Sequence, residues 1–195
     1  MLQVGITGGI GSGKTKVCKV FETLGIAVYN ADTQAKQLMN TDTELKAALK
    51  NYFGNDIYHK DGTVDRPKLA EIIFHDPASL EKTNSCVHPA VIRDFDNWCT
   101  MQKSPYVIEE SAIIYETNIA HLFGKVIMVA APENTRVMRV CIRDHVTPEI
   151  VQQRMANQWT DKKKITLADY VIYNDSLRLI TPQVVEIHKQ LLKIA

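Results

Sequence analysis

The chain opens on a short apolar run rich in β-formers, Met1 to Thr7, which stops at a pair of glycines. A strand buried on both faces of a parallel sheet has this texture. The period then changes: Val17, Val20, Phe21 and Leu24 fall at i, i+3, i+4 and i+7, and Gly25 supplies a stop, so a helix is predicted from Lys14 to Leu24. Ile26 to Tyr29 is a second short strand, and strand, glycine loop, helix and strand together make a βαβ unit. From Thr33 to Phe53 the chain is polar and helix-prone; turn signals follow at Phe53-Gly-Asn55 and Lys60-Asp-Gly62, and helical pattern resumes to Leu80. Residues 36–85 hold no β-run of comparable strength and read as a helical insertion beside the sheet. Strand-like runs return at Tyr106–Glu109, Val126–Ala130 and Tyr170–Tyr173, separated by helical segments, which brings the count to five strands in an α/β chain. His88-Pro89 introduces a helix from Ala90 to Trp98, and Thr181-Pro182 caps and starts a last one that buries Val184, Ile187 and Leu191.

Composition narrows what such a fold does. Apolar residues make up 45% of the 195 positions and charged ones 23%, with a net charge of +1, so there is material for a core and no bulk field to draw in nucleic acid or anionic lipid. Function must rest on a specific ligand site. The four cysteines form no C-x-x-C pair, the six histidines no H-x-x-x-H, and no signal peptide or membrane-length apolar run is present. A cytoplasmic protein in a reducing compartment is expected, with no zinc site, no nucleic-acid partner and no membrane partner; the oligomeric state stays open.

The decisive motif is Gly8-Gly-Ile-Gly-Ser-Gly-Lys-Thr15, which fits G-x-x-x-x-G-K-[ST] and sits between a predicted strand and a predicted helix. Its glycines let amide N–H groups turn toward phosphate oxygens, and the helix N-terminus adds to that field. The phosphates of a nucleotide are therefore expected at Gly9, Gly11, Ser12, Gly13, Lys14, Thr15 and Lys16, with Lys14 on the β- and γ-phosphates and the Thr15 hydroxyl on Mg²⁺, although the loop alone does not separate a kinase from a GTPase, an ATPase or a passive binder. N-K-x-D is absent, which speaks against a GTPase, and no G-x-S-x-G suggests an acyl-transfer nucleophile.

Asp32 follows the second strand, at the carboxyl end where open α/β sheets bind ligands. It is a candidate to orient an acceptor hydroxyl and take its proton, or alternatively an N-cap of the next helix. Arg136, Arg139 and Arg143 recur on one helical face, with Val137, Met138 and Cys141 opposite. That stripe reads either as a solvated face or as cations that close over a transferring phosphoryl group. Thr147-Pro148-Glu149 begins a helix bearing Arg154 and Gln158, after which Trp159 is a packing or ligand residue and Lys162–Lys164 a solvated run. Asn174 ends the last strand, either framing an adenine or opening a turn.

Val4-Gly-Ile-Thr-Gly-Gly-Ile-Gly-Ser-Gly-Lys-Thr15, Leu24-Gly-Ile26, Asn30-Ala-Asp32 with Ala35, His88-Pro89, Arg139, Arg143-Asp144, Arg154 with Gln158, and Lys164 before Ala168-Asp169 and Ile172-Tyr-Asn174 together resemble the dephospho-CoA kinase family. The resemblance implies ATP-dependent phosphorylation of the ribose 3′-hydroxyl of dephospho-CoA, giving coenzyme A and ADP. It also implies a P-loop NTPase fold, three-layer α/β/α around a five-stranded parallel sheet. The core would comprise 1–35, 86–135 and 166–195, with 36–85 the helical substrate-binding insertion and 136–165 a mobile lid. By the same likeness Asp32, Lys14, Arg139 and Arg143 are catalytic, Asp32 and His88 meet the acceptor, and Thr15 with Glu110 serves Mg²⁺. The chain departs from the family at Glu110-Ser-Ala-Ile-Ile114, where an acidic residue, a spacer and Pro-Leu-Leu are usual, so Glu109 competes with Glu110. Arg136, in the place of a frequent glutamine, reads as a surface or auxiliary charge. Two other readings stay open: a different small-molecule kinase, such as one acting on nucleoside monophosphates, and a nucleotide-binding module without phosphotransfer.

Overall fold

In a computed structural model, which describes the backbone of all 195 residues and the side chains of all except Phe74, His75 and Pro77, the five apolar runs form one sheet. Its strands are β1 (Leu2–Thr7), β2 (Ala27–Asn30), β3 (Tyr106–Glu110), β4 (Lys125–Ala130) and β5 (Tyr170–Tyr173), all parallel, in the order β2-β3-β1-β4-β5. The helices are α1 (Lys14–Thr23), α2 (Ala31–Thr41), α3 (Thr43–Phe53), α4 (Arg66–His75), α5 (Pro77–Thr100), α6 (Glu133–Asp144), α7 (Pro148–Ala156), α8 (Asp161–Ile165) and α9 (Ile180–Leu191).

The chain divides into two compact units. The first comprises Met1–Asn30 and Gln102–Ala195 and holds the sheet. Val4 and Ile6 of β1, Ile108, Ile127 and Ile172 bury one face against Val17 and Phe21 of α1 and Val184, Ile187 and Leu191 of α9. On the other face Gly5 leaves room for Ile114, whose Cδ1 would stand 2.8 Å from a β-carbon there. Helices thus cover both sides, as an all-parallel sheet requires, and all five positions of β3 are buried.

The second unit, Ala31–Met101, is built around α5, against which α2, α3 and α4 pack. Leu45, Leu49, Val87, Ala90 and Phe95 are buried. The polar stretch read as one helix-prone run is two helices, because the Asp42 side chain caps α3 by accepting from Leu45 N at 2.7 Å. Pro89 does not start a helix as expected; it lies inside α5, which runs unbroken from Pro77 to Thr100. An internal proline costs about 3 kcal/mol; burial of Val87, Ala90 and Val91 on either side of it offsets that. Continuity of α5 also makes the helical unit wider than the expected 36–85 insertion.

Candidate functional site

The loop between β1 and α1 carries the phosphate motif. Gly11 and Gly13 have φ of +78° and +93°, in the left-handed region that side chains resist. Space forbids side chains too: a β-carbon on Gly11 would sit 2.5 Å from the Arg136 carbonyl oxygen, and one on Gly13 would strike Asn174 Nδ2. Lys14 Nζ donates to the Gly8 carbonyl at 2.9 Å, so the ammonium stays over the loop. The opening amides of α1 have no carbonyl four residues earlier within the helix, which makes this end an anion site.

Three side chains from distant elements fix the loop. Asn174, just past β5, donates from Nδ2 to the Ser12 carbonyl at 2.7 Å. Gln158, after α7, accepts the Ile10 N–H on Oε1 at 2.9 Å. Arg139 on α6 stands 3.4 Å from the carbonyls of Gly11 and Asn174 and 3.5 Å from that of Ser12. Its guanidinium is therefore beside the loop, where a polyanion needs a cation.

At the strand ends, Glu110 Oε1 accepts the Thr15 hydroxyl at 2.9 Å and Oε2 accepts Asn30 Nδ2 at 2.8 Å. Glu109, its neighbour in the strand, points to the other face, since side chains alternate. Between the two candidates, Glu110 is the carboxylate that meets the loop. Cys18 of α1 is buried nearby, and burial first, then the Glu110 charge, pushes its thiol well above the usual range. A hydroxyl and one carboxylate are hard oxygen donors that fit Mg²⁺, which keeps waters and phosphate oxygens as its other ligands. Among the described residues no cluster of three or more His, Cys, Asp or Glu could hold a metal by itself.

Several expectations about α6–α8 are corrected. Arg136 is no surface charge: it is 6% exposed, packs against Gly9 and lies 3.5 Å from Asp161. Burial raises the Asp161 carboxyl above its ordinary value, with the Arg136 charge opposing that shift. The face of α6 expected to be covered is partly the open one, with Met138 57% and Ile142 69% exposed, because the ion pair and the loop draw Arg136 and Arg139 inward. Arg143 is exposed and pairs with Asp144, which also binds Arg154 at 2.7 Å, so it does not join the loop here. Lys164 is not solvated: it has no exposed surface and contacts Glu116 Oε1 at 2.7 Å. Trp159 packs, its ring stacked on Tyr115 with an interplanar angle of 4°, while its backbone N–H donates to Glu116 Oε1. Lys16 is exposed on α1.

Asp32 and His88 belong to the helical unit. Asp32 is exposed in the first turn of α2, which starts at Ala31, so it is a first-turn acid and not the N-cap. His88 is half-buried within α5, and burial lowers its imidazole below the ordinary value, favouring the neutral ring. Gln158 and Arg136 were the loop partners that sequence reasoning missed. Their partners lie more than a hundred residues away in the chain, and the one local signal was the glutamine one turn from Arg154.

Comparison with known proteins points to one family. The dephospho-CoA kinase family profile matches residues 2–178. A dephospho-CoA kinase from Porphyromonas gingivalis is 38% identical over 188 residues, 96% of this chain and 93% of that protein. A solved structure from Thermus thermophilus is 28% identical, covers 98% of this chain and 96% of its own, and superposes with a TM-score of 0.81. A dephospho-CoA kinase from Campylobacter jejuni, 21% identical with 98% and 97% coverage and a TM-score of 0.69, shares the fold. With its P-loop sheet and a family match spanning nearly its whole length, the chain belongs to the dephospho-CoA kinase family.

Proposed function

We propose that the protein transfers the γ-phosphoryl group of ATP to the ribose 3′-hydroxyl of dephospho-CoA, forming coenzyme A and ADP. The observation that carries this reading is the Thr15–Glu110 contact of 2.9 Å at the mouth of the phosphate loop, in a chain of this family. A passive phosphate cradle has no need of a buried carboxylate aimed at the loop hydroxyl.

In this reading the amides of Gly9–Lys16 and the Lys14 ammonium hold the triphosphate, and Asn174 secures the loop beside the base. Thr15 and Glu110 would hold Mg²⁺, which would supply charge neutralisation for the phosphates. Asp32 orients the acceptor hydroxyl and takes its proton as the new O–P bond forms, while the electron pair of the breaking P–O bond leaves with ADP. Arg139 meets the charge spreading over the transferred group, and Arg143 assists once released from Asp144. His88 lies on the acceptor side, and residues 136–165 act as a lid. Among the described residues no helix is long and apolar enough to cross a membrane, and none of the four cysteines forms a disulfide, which supports a cytoplasmic setting.

Asp32→Asn tests the assignment. The variant is expected to bind ATP within about twofold of wild type while turnover falls about 10³-fold, the middle of the range for a lost general base. Near-normal turnover would remove Asp32 from the mechanism.

A further inference from the structure

Glu110 is gripped on both oxygens. The Thr15 contact belongs to the phosphate loop, but the Asn30 contact has a separate origin: Asn30 ends β2, Glu110 ends β3, and the two are directly paired in the parallel ladder. The register itself brings carboxamide and carboxylate together. Glu110 is 6% exposed, so its charge has lost most of its water and needs donors from the protein. A glutamate side chain also has several torsions to fix. One oxygen held by Asn30 Nδ2 at 2.8 Å leaves the other aimed at the Thr15 hydroxyl.

We propose that Asn30 is a positioning residue for Glu110, locking the carboxylate in the orientation that serves Thr15 and thereby setting how tightly Mg²⁺ binds together with ATP. A carboxamide suits this place because it donates without adding charge. An aspartate would set a second carboxylate against the first, and like charges at that distance repel. The inference rests on the kinase reading, since Mg²⁺ enters only with the nucleotide.

Calorimetry of wild type, Asn30→Ala, Glu110→Gln and the double variant tests it, with ATP in EDTA and with ATP in excess Mg²⁺. Metal-free ATP should bind all four within about twofold, which also verifies that each has folded. Mg·ATP should bind Asn30→Ala about tenfold more weakly, the size expected for a hydrogen bond to a charged group. The double variant should be no worse than Glu110→Gln alone, because the amide acts only through that carboxylate. Asn30→Ser replaces the alanine variant if the latter does not bind metal-free ATP. Unchanged Mg·ATP affinity in Asn30→Ala, equal weakening with and without Mg²⁺, or a full additional loss in the double variant would each overturn the proposal. A wild-type chain that binds no ATP would overturn the kinase reading with it; a wild-type chain with the expected Mg²⁺ effect and an indifferent Asn30→Ala would sink the positioning role alone.

Discussion

Lys164 has no exposed surface, yet it carries a charge. Its Nζ donates to the Ala112 carbonyl at 2.8 Å and pairs with Glu116 Oε1 at 2.7 Å. The same Glu116 oxygen accepts the Trp159 backbone N–H at 2.8 Å, so one half-buried carboxylate ties the 159–164 segment to the stretch that follows β3. Lys164→Met keeps most of the stem volume and removes the ammonium, leaving Glu116, whose side chain is 12% exposed, without its cation. Removing one partner of a buried pair costs about 3–5 kcal/mol, because the remaining charge is desolvated and unpaired. For a chain of this size each kcal/mol moves the melting midpoint by about 2–4 °C, so the midpoint should drop by about 6–20 °C. Adding Glu116→Gln removes the stranded charge and keeps an oxygen for Trp159, and should recover at least half of the loss. Circular dichroism melts of the three chains measure this. A Lys164→Met midpoint within about 2 °C of wild type would refute the reasoning, as would a double variant less stable than the single.

Gly13→Ala places a methyl on a left-handed backbone and into Asn174 Nδ2, and should weaken ATP binding at least about tenfold by calorimetry. Arg139→Ala, which removes the guanidinium beside the loop, should lower kcat by about 10²-fold or more, whereas Arg143→Ala should cost under about tenfold, since that side chain is 62% exposed and paired with Asp144; steady-state kinetics separate them. The hydrogen bond from Arg143, with Arg154 adding to it, lowers the Asp144 carboxyl from its ordinary 3.8 to about 2. A depressed folded value means stability that is present above the unfolded pKa and lost as pH falls through the folded one. Asp144→Asn should therefore be less stable at neutral pH, by about 1 kcal/mol or less because the pair is solvent-screened, and the difference should fade in urea melts as the pH falls from the ordinary carboxylate value through about 2.

The sheet was legible because its strands advertise themselves as apolar runs bounded by turns, and the phosphate loop because its backbone demands glycines at fixed places. Residues 106–110, 125–130 and 170–173 are strands within a residue or so of where the β-formers cluster. The burial of α6 was not legible. Amphipathic reasoning assigns arginines to water, whereas the Asp161 carboxylate, 25 residues on in the chain, pairs with Arg136 on the inner side. Pro89 likewise reads as a helix start from local chemistry, while packing of α2, α3 and α4 around α5 carries the helix through it. Gln158, Asn30 and Lys164 stand out in the chain only through the family likeness, which says nothing of what they touch. Their partners are set by strand register and by loops that meet only in the folded sheet.

The most direct measurement is identification of the product formed from ATP and dephospho-CoA by the purified protein, by mass and by ³¹P NMR. Dephospho-CoA should gain one phosphoryl group on the ribose 3′-oxygen, with one ADP released per product and no comparable reaction of nucleoside monophosphates. ATP bound without any acceptor modified, or a nucleoside monophosphate phosphorylated in preference, would contradict it.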